Sequence, residues 1–259
     1  MSEPTTDRAL AAYEALAPVY DAFTGAYQAA AWTARLEAIA MRWKEGSQRR
    51  LLDVGCGTGK SFLPMLQRGW EVSACDLSPG MIELARTKAG CSARLEVADV
   101  RNLSVLGEFD LVWALNDTLN YMMSNEELVA ALTKMRANLH PQGILVFDLN
   151  TLRSMRELFA ERMSRNVDGV AMRWTGLAAP AEIKPGATYT ARFEVSNLPT
   201  ASHDHCQRHF PEAATLQALD KAGFQCLEVW GDYEGRQYKP LDEEDHEKGI
   251  YFARPRLDA

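Results

Sequence analysis

A glycine-rich run in the first quarter of the sequence has the residue types of a ligand-binding turn. The run is DVGCGTG, Asp53–Gly59, and it follows directly on the apolar residues Leu51 and Leu52. Glycines at such a point permit a tight turn and let a ligand approach the backbone where a Cβ would collide with it. The helix expected after the turn exposes free N–H groups, which favour a negatively charged group such as a carboxylate.

Two aspartates end the next two apolar runs along the chain. Asp76 closes WEVSACD, and Asp99 follows ARLEV. A carboxylate at position 76 can accept hydrogen bonds from both hydroxyls of a ribose. Because the carboxyl ends of parallel strands meet at one edge of a sheet, we expect the glycine run and both aspartates to converge on one ligand. Local roles are the alternative: Asp53 would brace the loop, and Asp76 would cap the helix that begins near Ser78.

Two other nucleotide-binding motifs are incomplete here. A dinucleotide fingerprint G-x-G-x-x-G needs glycine or alanine at position 60, which is Lys60. A P-loop ending at Gly59-Lys60-Ser61 needs glycine at position 54, which is Val54. Both motifs are therefore disfavoured.

The elements that would position these residues alternate in type. From Leu51 to Leu149, short apolar runs alternate with helical patterns, which predicts βαβ units and a parallel sheet. Ser124 and Glu127 fit a capping box, so a helix should begin near Ser124. Three later segments, VAMRWTGLA, TYTARFEV and HDHCQRHF, predict antiparallel strands, and FQCLEVWGDYE with GIYFARP predicts a terminal antiparallel pair. We expect N-terminal helices and a nucleotide-binding core in residues 1–164, an antiparallel insertion covering the substrate at 165–210, and completion of the core at 211–259.

The ordered segments LLDVGCGTG, VSACDLSPGMIELAR, VADVRNL and FDLVWAL resemble the motifs of class I S-adenosylmethionine-dependent methyltransferases over about residues 50–150. The resemblance implies a Rossmann-like, seven-stranded, mostly parallel sheet whose last strand is antiparallel, with S-adenosyl-L-methionine as cofactor. In that family the glycine loop holds the methionine moiety. The acidic residue after the second strand binds the ribose, and the acidic residue after the third strand binds the adenine amino group. The N-terminal run YEALAPVYD resembles helices that close an aromatic residue over the cofactor. The cofactor-binding residues implied are Asp53, Gly55, Cys56, Gly57, Gly59, Asp76, Leu77, Met81, Asp99, Val100, Leu115, Tyr20 and Trp32.

The methyl acceptor has fewer markers in the sequence. On a strand, His203, His205 and Gln207 share one face, and His209 continues the alternation. Histidine is the usual proton acceptor near neutral pH, so His205, His203, His209 and the covering Tyr20 are the candidate catalytic residues. Structural roles are the main alternative for the three histidines. A metal site is a third possibility, but no matching ligand pair stands out elsewhere in the sequence, so no metal ligand is assigned. The loop from Asn116 to Tyr121 should lie near the methyl group, and it lacks the [DN]-P-P-[YF] pattern of methyltransferases that act on nucleobase amines.

The charge and amino-acid composition of the chain limit the classes of binding partner and the cellular location that we expect. A formal net charge of −7 disfavours nucleic acid, and no window of eighteen apolar residues predicts a membrane span. Five scattered cysteines without a C-x-x-C pair disfavour disulfides and structural zinc, which indicates a reducing, cytoplasmic location. Exposed strands of the insertion could pair in a homodimer.

The sequence thus predicts a methyltransferase that transfers a methyl group to a nitrogen or oxygen atom of a small molecule, with a carbon atom as a further option. The alternatives are an NAD(P)-dependent oxidoreductase on a related sheet and a non-catalytic protein that binds S-adenosylmethionine.

Overall fold

The computed structural model describes residues 5–25, 29–44, 46, 48–196 and 202–256. Its strands, in chain order, are β1 (Arg50–Val54), β2 (Glu71–Asp76), β3 (Ala93–Val97), β4 (Phe109–Ala114), β5 (Leu139–Asn150), β6 (Arg162–Val167), β7 (Val170–Gly176), β8 (Thr188–Val195), β9 (His203–Arg208), β10 (Phe224–Tyr233), β11 (Arg236–Tyr238) and β12 (Lys248–Pro255). Its α-helices are α1 (Thr5–Leu16), α2 (Tyr20–Thr24), α3 (Ala29–Ala40), α4 (Leu63–Gln67), α5 (Pro79–Ala89), α6 (Asn125–Arg136), α7 (Leu152–Ala160) and α8 (Glu212–Lys221).

The larger sheet has the strand order β11-β10-β12-β5-β4-β1-β2-β3. The strands β3, β2, β1, β4 and β5 run parallel to one another, and β12 is antiparallel to β5. The predicted mostly parallel sheet with an antiparallel last strand is confirmed. Among the described residues it has eight strands rather than seven, because the chain after β10 turns at Glu234 and Gly235, both at positive φ, and adds the short edge strand β11.

Helices cover both faces of this sheet, and strand periodicity decides which side chains meet them. Along β4, Leu111 and Trp113 enter one buried cluster, whereas Val112 and Ala114 enter the other. This alternation is the two-residue period of a strand that is buried on both faces. The cores hold the parallel strands in place, so the loops at their carboxyl ends are fixed relative to one another.

Side-chain caps fix where two helices of the core begin. Ser124 accepts a hydrogen bond from the Glu127 N–H at 3.1 Å, and α6 begins directly after it, as predicted. Ser78 caps α5 by accepting from the Met81 N–H at 3.0 Å. The alternative reading of Asp76 as the cap of α5 is therefore wrong.

The smaller sheet is antiparallel throughout, in the order β6-β7-β8-β9, and spans Arg162 to Arg208. Its apolar face packs on α7 and on the N-terminal helices. Buried on that face are Met172, Trp174, Tyr189, Ala191, Phe193 and Val195. This face therefore closes over the carboxyl edge of the larger sheet. No helix within the described ranges is long and apolar enough to cross a membrane.

Candidate active site

A cavity of about 700 Å³ lies between the carboxyl edge of the parallel strands and the antiparallel sheet. The loops after β1, β2, β3 and β4 form one end, which we call the strand-tip end. Side chains of α1, β7, β9 and the loop after β4 form the other, which we call the acceptor end. Because the two ends are continuous, a nucleoside at the first can face a second molecule at the other.

The glycine loop after β1 presents its backbone to the cavity. Gly55 and Gly57 have positive φ angles of 70° and 53°, which favour glycine. A Cβ on Gly55 would collide with Thr118 of the loop after β4. A Cβ built on Gly57 would lie 3.8 Å from the Tyr20 ring, so the tyrosine sits directly over this backbone.

Asp76 is fixed by backbone donors and also lines the cavity. Its two carboxylate oxygens accept the N–H of Gly57 at 2.8 Å and the N–H of Ser78 at 2.9 Å. Burial raises the pKa of Asp76 above its usual value. Each oxygen keeps acceptor capacity after these single bonds, so two neighbouring hydroxyls of a ribose fit this carboxylate.

Asp99 also lines the cavity, but its carboxylate already has a partner. The Arg101 guanidinium donates to it from Nε at 2.9 Å and from NH2 at 2.8 Å, and the Arg101 backbone N–H adds a third bond. Arg101 lines the cavity as well. The predicted contact of Asp99 with an adenine amino group stays a prediction.

Ten of the thirteen residues predicted to bind the cofactor line the cavity. They are Gly55, Cys56, Gly57, Asp76, Leu77, Asp99, Val100, Leu115, Tyr20 and Trp32. The other three, Asp53, Gly59 and Met81, lie behind its wall. Asp53 is fully buried and accepts the Ser61 hydroxyl at 2.5 Å, Gly59 packs against Phe62, and Met81 is buried in α5. The direct contacts with the cofactor that were expected of these three stay predictions.

The structure separates the three predicted histidines. His205 lines the acceptor end, whereas His203 and His209 do not. β9 ends at Arg208, so the strand alternation stops before His209, whose Nε2 lies 2.9 Å from Glu243. His203 pairs with Phe193 at the start of β9, away from the cavity. The expectation that three imidazoles face one pocket is corrected to one imidazole and Gln207.

Two tyrosines extend from His205. The Tyr121 hydroxyl lies 3.0 Å from His205 Nδ1, and the Tyr13 hydroxyl donates to Tyr121 at 3.0 Å. Burial, and secondarily the neighbouring His203, lower the pKa of His205 to about 4. The imidazole is consequently neutral at pH 7.

Two further residues belong to the site: Lys248, which the sequence did not indicate, and Asp117, which lies in the loop expected near the methyl group but had no predicted role. Lys248 Nζ donates to Asp148 at 2.6 Å and to Asp117 at 3.4 Å, and Gln207 donates to Asp117 at 2.6 Å. Although burial opposes its charge, Asp148 and Asp117 raise the pKa of Lys248 above its usual value. The cluster thus holds two carboxylates and one ammonium. Asn116 and Asp117 both have a φ of 58°, in the left-handed region that asparagine and aspartate tolerate better than most other non-glycine residues.

The matches to known proteins agree with this geometry. Residues 51–143 match the family model described as a methyltransferase domain. YqeM of Bacillus subtilis (strain 168), a protein named as a methyltransferase, is 28% identical over 228 residues, covering 85% of this chain and 90% of that protein. A Streptomyces venezuelae enzyme, dTDP-3-amino-3,4,6-trideoxy-alpha-D-glucopyranose N,N-dimethyltransferase, is 30% identical over 135 residues, 51% of this chain and 56% of that one.

A solved structure of an S-adenosylmethionine-dependent methyltransferase from Clostridium acetobutylicum ATCC 824 superimposes with a TM-score of 0.70 at 19% identity, covering 89% of this chain and 92% of that one. Fold and strand-tip loops together define the class I methyltransferase architecture. The protein carries a methyltransferase domain and has the fold of class I S-adenosylmethionine-dependent methyltransferases.

Proposed function

We propose that this enzyme methylates the nitrogen of a small-molecule amine. The observation that carries the proposal is Asp117, a carboxylate at the acceptor end of a cavity that is continuous with the strand-tip end. S-adenosylmethionine supplies a methyl group on a positively charged sulfur. During transfer to an amine, positive charge develops on the acceptor nitrogen, and a fixed carboxylate beside that nitrogen stabilises it.

At the strand-tip end, we assign the ribose to Asp76 and the methionine moiety to the backbone of Gly55, Cys56 and Gly57. Tyr20 covers this end from above the glycine loop, and Trp32 stands beside it, held by its bond to Asp232 at 3.1 Å. Leu77, Val100 and Leu115 supply apolar surface for the adenine. In this arrangement the chain contributes proximity and alignment, which can supply roughly 7–11 kcal/mol of a displacement barrier.

The phenols already present in the cavity argue against transfer to oxygen. Burial, with the negative charge of Asp117 among the further causes, raises the pKa of Tyr13, Tyr20 and Tyr121 above the usual value. An acceptor phenol or alcohol placed among them would meet the same resistance to ionisation. An amine needs no negative charge to attack, so it suits this environment better.

The raised pKa of Tyr20 argues against its predicted role as a catalytic residue. A phenol whose pKa is raised stays protonated at neutral pH and is a poor base. We therefore propose that Tyr20 closes the cavity and excludes water. The relative from Streptomyces venezuelae supports nitrogen as the acceptor, since its name gives an amino sugar as substrate.

Matched acceptors test the proposal directly. The enzyme is incubated with S-adenosylmethionine and either cyclohexylamines or the corresponding cyclohexanols, and mass spectrometry follows the 14-dalton gain. Only the amines should be methylated, and the rate should rise with pH as the free amine fraction grows. Methylation of the alcohols in preference to the amines would contradict the proposal.

The Asp117→Asn variant examines the carboxylate itself. Loss of the charge facing the nitrogen should lower kcat by about 10- to 100-fold while binding of S-adenosylhomocysteine stays near the wild-type value. Asp204→Asn is the matched control, because Asp204 pairs with Arg192 on the other face of β9. Equal turnover in both variants would remove Asp117 from the mechanism.

A further inference from the structure

His205 carries a buried polar atom that no described residue satisfies. The side chain is 1% exposed, and its Nε2 has no hydrogen-bond partner among the described residues. The ring lines the acceptor end of the cavity, and the Trp174 ring lies beside it with centroids 4.9 Å apart. A buried donor or acceptor without a partner costs about 1–3 kcal/mol, so this atom points to a ligand.

The two tyrosines decide which form of the imidazole faces the cavity. Tyr13 donates its hydroxyl proton to the Tyr121 oxygen, and that hydroxyl in turn is placed to donate to His205 Nδ1. An imidazole that accepts at Nδ1 and is neutral carries its proton on Nε2. Nε2, the ring nitrogen left without a partner among the described residues, is therefore an N–H donor.

The partner of that donor must be a neutral oxygen. An amine hydrogen-bonded through its lone pair could not attack, so the acceptor nitrogen itself is excluded. A carboxylate is disfavoured because Asp117 is close: Gln207 Nε2 donates to Asp117 at 2.6 Å, and Gln207 is two residues from His205 on the same strand face. A hydroxyl or ether oxygen satisfies the donor without charge repulsion.

We propose that His205 is a specificity-determining residue that donates Nε2–H to a hydroxyl or ether oxygen near the acceptor nitrogen. The substrate class is then an amino alcohol, an assignment that rests on the proposed N-methylation. Asp117 faces the nitrogen, His205 binds the oxygen, and Trp174 covers the carbon framework between them. Tyr121 and Tyr13 are positioning residues, since they fix the tautomer of His205.

The tautomer can be measured without any acceptor. In protein labelled with ¹⁵N at histidine, long-range imidazole spectra should show His205 with a protonated Nε2 and an unprotonated Nδ1, unchanged between pH 5.5 and 8. His205→Gln assigns the signals, and Tyr121→Phe should shift the Nδ1 resonance. A proton on Nδ1, or titration of the ring near neutral pH, overturns the assignment.

Paired acceptors then test recognition in the full-length enzyme. With S-adenosylhomocysteine bound, 2-aminocyclohexanol should shift the His205 Nε2 resonance, and cyclohexylamine should not. In turnover, replacement of His205 by Leu should raise KM for the amino alcohol about tenfold and leave KM for the amine nearly unchanged. His205→Gln should restore part of the difference, because its amide also donates.

His203→Gln is the control, since His203 lies on the same strand but does not line the cavity. A large loss of kcat with both acceptors in His205→Leu would instead indicate proton transfer, and the specificity role would fail. If wild-type enzyme methylates neither acceptor while the Nε2 shift is still seen, the N-methylation proposal fails and oxygen recognition stands. If amines are methylated and no Nε2 shift occurs, only the present inference fails.

Discussion

Asp53 supports the glycine loop through its burial, which also makes it sensitive to pH. Burial raises its pKa to about 7, from a usual value of 3.8. The folded protein thus retains this proton to a higher pH than the unfolded chain does. The stability that the protonated form contributes is complete below the unfolded pKa and is lost as the pH rises through about 7.

The variant Asp53→Asn should consequently be more stable than the wild type at pH 8. The amide oxygen can still accept the Ser61 hydroxyl, but no charge is buried. Denaturant unfolding between pH 5 and 8 should show the difference widening with pH, to on the order of 1–3 kcal/mol. Asp245→Asn, a change at an exposed carboxylate, should leave the curve unaltered. Parallel curves for wild type and Asp53→Asn would mean that Asp53 is ionised throughout.

Among single residues, the predictable ones are those whose backbone conformation or motif limits the residue type. Gly55 and Gly57 adopt positive φ and face the cavity, so their sequence signal is strong. Asp117 also has positive φ, but an aspartate carries no such signal in a sequence. Lys248 begins β12 at the end of a polar loop, where a lysine is ordinarily a solvated surface residue.

At the scale of elements, α2 is a short helix held over the glycine loop by charge. Asp21 accepts the Thr58 hydroxyl at 2.7 Å and also contacts the ammonium groups of Lys60 and Lys88. The helix carries Tyr20 over Gly57, so these contacts keep the strand-tip end covered. Release of a bound nucleoside then requires that they open.

Asp21→Asn should accelerate release of S-adenosylhomocysteine. Two ion pairs at a half-exposed carboxylate are worth about 0.2–1 kcal/mol each, and their sum corresponds to an increase of about twofold to thirtyfold in the dissociation rate. Stopped-flow displacement measures that rate, and the wild-type rate should approach that of the variant at high salt. Glu83→Gln, which removes an exposed pair with Arg86 on α5, is the control. Unchanged release would show that α2 does not limit the exit.

Elements with strong hydrophobic periodicity were predictable, and exposed ones were not. The pattern at residues 8–44 predicts helices interrupted at Pro18 and Gly25, and α1, α2 and α3 are separated at those two positions. The pattern from Thr151 to Met163 predicts one helix, but α7 ends at Ala160 and β6 follows. β6 is an exposed edge strand, so packing imposes no apolar alternation on its sequence RMSRNV.

For the whole molecule, the cavity lies where the two sheets meet, and each contributes different chemistry. The parallel sheet supplies backbone turns and Asp76, and the antiparallel sheet supplies His205, Gln207 and Trp174. The residues from the parallel sheet can be predicted from local sequence motifs, because successive strand ends must converge in this fold. The second set depends on how distant segments pack, which no single motif encodes.

Binding of S-adenosylhomocysteine in this cavity should therefore raise the Tm of the whole protein, and binding of NADH should not. S-adenosylhomocysteine at 100 times its Kd contributes about 2.7 kcal/mol, which raises Tm by roughly 5–10 °C for a chain of this size. NADH should give no shift, since Lys60 replaces the third small residue of a dinucleotide turn. Asp76→Ala should lose most of the shift at the same concentration, whereas Asp204→Asn, on the far face of β9, should keep it. A rise in Tm with NADH but none with S-adenosylhomocysteine would mean that the three strand ends bind a dinucleotide. The backbone turn would then bind the pyrophosphate, and the carboxylate of Asp76 would bind a ribose of the dinucleotide.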